Sequence, residues 1–191
     1  MSETLPLKRW TRVEYDRLIE HGVFGPSERI ELLDGLLVVR EPQSGPHAMG
    51  IRMAEEALRR AFAVGWDVRS QLPVALDDES EPEPDVSVVP GTFRDYPHDH
   101  PPRAVLVVEI AESSLRLDRG EKASLYARAG LADYWIVNLV EHVLEVHRDP
   151  VADPAAPHGW RYGTTLTRRA GEAVTPLAAP DAVIPVGDLV P

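Results

Sequence analysis

A chain of 191 residues with 31 acidic side chains against 20 Lys and Arg carries a formal net charge of −11, which opposes broad attraction to nucleic acid or to an anionic membrane surface. The absence of cysteine excludes disulfides and thiolate metal centres, and no apolar run approaches the roughly 18–20 residues that span a bilayer. Hydrophobic residues at 43% and charged residues at 27% suit a soluble globular protein, and the length suits a single domain over residues 1–191. Met1 to Lys8 lacks the apolar core of a signal peptide, so a cytoplasmic location is expected.

Thr11-Arg12-Val13-Glu14 has the pattern of a capping box, with Trp10 and Tyr15 placed for a hydrophobic staple. The helix it opens is expected to bury Val13, Leu18 and Ile19 and to stop at Gly22. Glu28 to Leu33 leads into Asp34-Gly35, a strong hairpin turn, and Leu36 to Val39 forms the return strand, ended by Pro42. His47 to Phe62 has helical spacing with Met49, Met53, Leu58 and Phe62 on the apolar side; Arg52, Arg59 and Arg60 share another face. Trp66 to Leu76 reads as an extended strand, Asp77 to Pro84 as an acidic turn, Asp85 to Val89 as a core strand closed by Pro90-Gly91, and Thr92 to Pro102 as a loop.

Ala104 to Ile110 is the most apolar strand. Asp118 to Ala129 reads as a helix with Asp118 as N-cap, Glu121 at the third position and Gly130 as terminator. Tyr134 to Leu139 and His142 to His147 pair across a short turn, Asp149 to Pro157 is a loop, and Trp160 to Val190 suggests short edge strands. The hairpins argue against a purely parallel sheet, so the expected architecture is α+β: a mixed central sheet flanked by α-helices. Residues 10–148 hold the motifs, and 149–191 supply C-terminal edge strands and loops.

Two acids stand out, Asp85 opening Val86-Ser87-Val88-Val89 and Glu109 closing Val105-Leu106-Val107-Val108. A carboxylate at the end of a buried strand is desolvated and titrates upward unless a cation sits beside it. Such a pair suggests a shared divalent ion, and Asp118, Lys122 and Tyr126 follow on one helix face. Lys122 near a helix start opposes the helix dipole at a cost of about 0.3–1 kcal/mol, which asks for a reason. Each residue also has a plainer account: Asp85 as a strand-start cap, Glu109 as an exposed strand end, Lys122 as a solvated lysine, Tyr126 as core. Glu31 is a third candidate carboxylate or a partner for Arg29 or Arg40. His47, after the Gly45-Pro46 turn, is a candidate phosphate or water contact or a surface histidine. The remaining histidines lack zinc spacing, and neither a phosphate-cradling Gly loop nor a Gly-x-Ser-x-Gly elbow occurs.

Glu31-Leu-Leu-Asp-Gly35, Gly-Pro-His47, Pro84-Asp85-Val-Ser-Val-Val, Val-Val-Glu109-Ile-Ala-Glu-Ser-Ser, Asp118-x-x-x-Lys122-x-x-x-Tyr126 and Gly130-x-x-x-Tyr134-Trp135-Ile-Val together resemble the Uma family of restriction-endonuclease-like proteins, within the PD-(D/E)xK nuclease superfamily. The resemblance runs over about residues 10–140 and keeps the motif order. It implies a restriction-endonuclease-like mixed sheet of about four strands between helices. It also implies Mg²⁺ (or Mn²⁺) held by Asp85 and Glu109 with the Ile110 carbonyl as an extra ligand, and Glu31 as a further acid. The superfamily lysine two residues after the second acid is missing, since position 111 is alanine; Lys122 in the next helix matches it. The function so implied is hydrolysis of DNA phosphodiester bonds by Glu31, Asp85, Glu109 and Lys122, with His47 and Tyr126 as substrate contacts and a homodimer as a candidate assembly. Two other readings fit the acidic charge: a catalytically silent binding module of the same fold in a mobile-element or defence complex, and a hydrolase of small phosphorylated molecules.

Overall fold

The computed structural model describes residues 7–40 and 42–191; the first six residues, part of the stretch read as lacking a signal peptide, lie outside the described residues. Helix α1 (Arg12–Glu20) opens with the expected capping box: Thr11 Oγ1 accepts from the Glu14 N–H at 3.3 Å, and Glu14 Oε2 accepts from the Thr11 N–H at 3.0 Å. Gly22, at φ 61°, ends it as expected. The side chain it buries is Tyr15, whose hydroxyl donates to the Ile30 carbonyl at 2.6 Å. Val13 and Ile19, expected in the core, are exposed, and Leu18 is half-buried. Val13 precedes Tyr15 by two residues and so points to the other side of the helix.

Strands β1 (Ile30–Leu33) and β2 (Leu36–Val39) form a hairpin about Asp34 (φ 46°) and Gly35 (φ 73°), the left-handed pair that a two-residue turn requires. The hairpin docks on the following acidic segment through Glu81 N–H to Leu32 C=O and Gly35 N–H to Glu79 C=O, each 2.7 Å. Helix α2 (Gly45–Ala61) is capped by Ser44, with Pro46 in its first turn. It buries Gly50, Ile51, Ala54, Ala57 and Leu58; Met49 is exposed and Met53 only half-buried. Close approach explains the choice of stripe, because a Cβ on Gly50 would lie 2.8 Å from Ile110 Cγ2. Small residues, rather than the methionines, let this helix lie against the sheet.

The central sheet has six strands, in chain order: β3 (Trp66–Ser70), β4 (Val86–Pro90), β5 (Leu106–Ala111), β6 (Asp133–Asn138), β7 (Val143–Ala152) and β8 (Trp160–Arg168). Only β5 and β6 are parallel, so the sheet is mixed as expected, with six strands rather than four. β3 stops short of the expected Leu76 because Gln71 is left-handed (φ 53°) and Pro73 has no N–H to offer a ladder. β7 runs through Pro150 to Ala152, so residues 149–152 of the expected 149–157 loop are strand. It does so by pairing with a β8 longer than the short edge strands expected, where Gly163 leaves room beside the Asp149 backbone. A pair of two-residue strands, β9 (Ala173–Val174) and β10 (Ile184–Pro185), completes the C-terminal part.

Alternation along β5 divides the core. Leu106, Val108 and Ile110 face α2, with Val86, Val88, Trp135, Val137 and Leu144. Val107 and Ala111 face the opposite side, where they meet Ala123, Tyr126, Ala127 and Tyr134. That second side is covered by the β5–β6 crossover. It comprises α3 (Leu115–Leu117), a π-helical turn (Asp118–Lys122) and α4 (Ala123–Arg128). Asp118 is therefore not the expected N-cap. The helix starts at Leu115, whose predecessor Ser114 donates its hydroxyl to Asp118 Oδ2 at 2.6 Å, and Asp118 lies inside it and buried.

Candidate functional site

The β4–β5 register pairs Val86 with Val108 and Ser87 with Val107. One step further along the same antiparallel ladder, Asp85 stands opposite Glu109, and the period of two puts both on the face covered by the crossover helix. Each carboxylate reaches the other strand's backbone: Ile110 N–H donates to Asp85 Oδ2 at 2.8 Å, and Asp85 N–H donates to Glu109 Oε2 at 3.3 Å. Both side chains are about 2% exposed.

The crossover helix brings the cation. Lys122 Nζ lies 3.1 Å from Glu109 Oε1 and 3.1 Å from Glu31 Oε1, and the Tyr126 hydroxyl donates to Glu109 Oε1 at 2.9 Å. Four-residue spacing alone stacks Lys122 and Tyr126 on one face; the π-turn that ends at Lys122 adds a residue to its turn. The Tyr134 hydroxyl donates at 3.0 Å to the Asp118 C=O, which also accepts from the Ala123 N–H. Glu31 arrives from the hairpin and is held by the Glu83 N–H at 3.0 Å.

Two further basic groups close on Asp85. Arg40 Nη2 is 2.9 Å from Asp85 Oδ1 while its Nη1 is 3.3 Å from Glu83 Oε2, and His47 Nε2 is 3.2 Å from Asp85 Oδ2. His47 Nδ1 is buried with no hydrogen-bond partner among the described residues. These groups line a cleft of about 240 Å³, which Asp118, Ser113, Ser114 and Arg29 also border. At its edge the Ser44 hydroxyl donates to Glu112 Oε2 at 2.6 Å.

Burial and neighbouring charge push the two central acids apart. Burial raises Glu109 to about 8, against the pull of Lys122 and with the repulsion of Asp85. Asp85 is buried too, but the His47 hydrogen bond and charge, Arg40 and the Ile110 N–H hold it below its ordinary value. Burial disfavours the charged forms of Lys122 and His47, yet the carboxylates around each outweigh it and raise both. Asp118 is pushed up to about 6, chiefly by burial. The cleft thus carries a firmly ionised acid beside one that lacks enough positive charge.

That shortage is what a divalent cation would relieve, and hard carboxylate oxygens are the donors Mg²⁺ and Mn²⁺ take. Among the described residues no group of three or more Asp, Glu or His side chains forms a ready cage. Held by two carboxylates, such an ion would fill its remaining positions with water or phosphate, a normal habit for Mg²⁺.

The model of a protein family described as "Uma2: Putative restriction endonuclease" matches residues 12–186. The chain belongs to the Uma2 family. Among solved structures it resembles a protein from Anabaena variabilis ATCC 29413 described as a putative nuclease belonging to DUF820, with TM-score 0.68 over 94% of this chain and 97% of that one; at 15% identity, the likeness is one of fold. No curated protein matches the chain.

In this Uma2 protein the sequence-derived residues Glu31, His47, Asp85, Glu109 and Lys122 all line one cleft; Ile110 meets it through its N–H, and Tyr126, wholly buried, reaches it through its hydrogen bond to Glu109. The sequence reading used Arg40 only as a partner for Glu31, yet the hairpin register indicates more. A two-residue turn at Asp34-Gly35 pairs Glu31 with Val38, so position 40 falls on the side of the hairpin that Glu31 occupies. Asp118 was set aside as a cap. Much of the acid in 77–85 lies away from the cleft: Asp77 pairs with Arg128, and Glu81 with Arg12. The arginine face of α2 is partly neutralised, Arg59 by Glu55 at 2.8 Å and Arg60 by Asp188 at 3.5 Å. Among the described residues no helix is long and apolar enough to cross a membrane.

Proposed function

We propose that this protein is a divalent-metal-dependent endonuclease that hydrolyses DNA phosphodiester bonds. The observation that carries the reading is the placement of Asp85 opposite Glu109 with Lys122 within 3.1 Å of both Glu109 and Glu31. Asp85 and Glu109 would hold Mg²⁺ or Mn²⁺, with the Ile110 carbonyl as a further oxygen donor. When bound, such an ion polarises a phosphoryl oxygen and makes a water more acidic.

The chain's own residues supply the rest. Lys122, kept charged by its three acidic neighbours, stands where it orients the attacking water or stabilises the charge that develops on the phosphoryl oxygens. Tyr126 fixes the Glu109 carboxylate from the side opposite the strand. Glu31 fixes Lys122, so the ammonium does not collapse onto Glu109 alone. His47 and Arg40 are the cationic groups nearest Asp85 that face an incoming phosphate.

Asp85→Asn and Glu109→Gln should each abolish Mn²⁺-dependent nicking of plasmid DNA while urea unfolding stays cooperative. Nicking that persists undiminished in both variants defeats the mechanism. The −11 charge and the small cleft favour one other substrate class, small phosphate esters; nucleotides and sugar phosphates assayed beside DNA separate the two.

A further inference from the structure

Asp85 has two oxygens and both are occupied. Oδ2 accepts from the Ile110 main-chain N–H and from His47, so it is tied to the sheet. Oδ1 accepts from the guanidinium of Arg40 at 2.9 Å. Arg40 directly follows the last residue of β2 and is 11% exposed, and its second contact is Glu83, itself 24% exposed at the side chain. A cation seeking Asp85 thus meets a side-chain competitor at one oxygen and the backbone N–H with His47 at the other. Two cations cannot share that oxygen without repulsion at contact distance.

We propose that Arg40 and the divalent ion exchange places on Asp85, and that the guanidinium so released binds the phosphate group of the substrate. The inference rests on the reading of the cleft as a metal-dependent phosphodiester hydrolase and adds a substrate-binding residue to it. Released Arg40 stays at the cleft through Glu83, and a phosphate offers a pair of oxygens that the planar guanidinium fork matches in place of a carboxylate. The exchange also answers the charge problem. Without the ion, Arg40 is consumed by the protein's own acids; with it, one strong anion-binding group appears beside the reacting centre. Metal and phosphate then favour each other's binding, and by linkage the effect runs equally in both directions.

The test uses the full chain and three variants: Arg40→Gln, which removes the charge, Arg40→Lys, which keeps it without the fork, and Asp85→Asn as control. Mn²⁺ alone is titrated by calorimetry, and a short DNA duplex is titrated by fluorescence anisotropy with and without Ca²⁺, used to slow cleavage. Arg40→Gln should bind Mn²⁺ roughly tenfold more tightly than wild type and lose the Ca²⁺-dependent part of its duplex affinity. Should Arg40→Gln not fold, Arg40→Lys carries the test: Mn²⁺ affinity within about twofold of wild type, Ca²⁺-dependent duplex affinity several-fold lower. Unchanged or weaker Mn²⁺ binding in Arg40→Gln, or full Ca²⁺-dependent duplex affinity in Arg40→Lys, overturns the exchange. If wild type takes up Mn²⁺ and Asp85→Asn does not, such a result removes the exchange and leaves the metal site standing. If neither wild type nor Arg40→Gln takes up Mn²⁺, both fall.

Discussion

Lys122 can be weighed as a structural group apart from any reaction. Lys122→Met keeps the length of the side chain and removes its charge, leaving Glu31 and Glu109, 1% and 2% exposed, without their shared cation. Breaking a buried pair from one side costs about 3–5 kcal/mol, a large part of the roughly 5–15 kcal/mol by which a domain is stable. The loss should depend on pH. Glu109 already sits at about 8 with Lys122 present, and removing the cation that lowers it moves it higher. A carboxyl whose folded value is raised contributes stability that is present below its unfolded value and lost as pH rises through the folded one. The deficit of the variant relative to wild type should therefore widen as pH rises through about 8 and beyond, where wild-type Glu109 has ionised beside Lys122 and the variant's has not. Urea unfolding monitored by tryptophan fluorescence reads it directly, since Trp135 is wholly buried. Lys122→Met with Glu109→Gln should recover part of the loss, and millimolar Mn²⁺ should restore the single variant more than it stabilises wild type. A variant within about 1 kcal/mol of wild type at pH 8, or a deficit indifferent to both pH and Glu109→Gln, would refute the picture of a cation shared by two buried acids.

Gly50→Ala should cost about 1–3 kcal/mol, because the new methyl would stand 2.8 Å from Ile110 Cγ2 where α2 meets β5; thermal unfolding checks it. Burial raises Glu81 to about 7, with Asp16 adding to the effect and Arg12 opposing it. Its contribution is thus present below its usual value and lost as pH climbs through about 7. Glu81→Gln should flatten the stability profile between pH 5 and pH 8 by at most about 3 kcal/mol, less after solvent screening; an unchanged profile contradicts the shift. Tyr126→Phe should keep the fold and lower nicking activity by freeing the Glu109 carboxylate, with a cooperative unfolding curve as control.

Much of the site could be read from spacing because sheets and helices convert sequence into position by fixed periods. Asp85 and Glu109 end apolar runs that pair in antiparallel register, and four-residue steps set Lys122 and Tyr126 on one helix face. Asp34-Gly35 fixed the hairpin, and through it the place of Glu31. What resisted was decided by contacts far apart in sequence. Asp118 carries the local signature of a cap, but Leu115 and Leu117 start the helix earlier and a π-turn absorbs the acid. Met49 and Val13 have the right polarity for a core, yet close packing at Gly50 and docking through Tyr15 chose other faces. The reach of β7 through Pro150 depends on Gly163 of β8, which leaves room beside the Asp149 backbone. Arg40 was legible in the hairpin register, and its pairing with Asp85 was not, because that contact joins positions 45 residues apart.

A crystal grown with Mn²⁺ and measured at the manganese edge tests the central claim most directly. An anomalous peak in contact with a carboxylate oxygen of Asp85 and one of Glu109, beside the Lys122 ammonium, is the expected result. A cleft without such a peak at millimolar Mn²⁺, or manganese bound only elsewhere on the acidic surface, would contradict it.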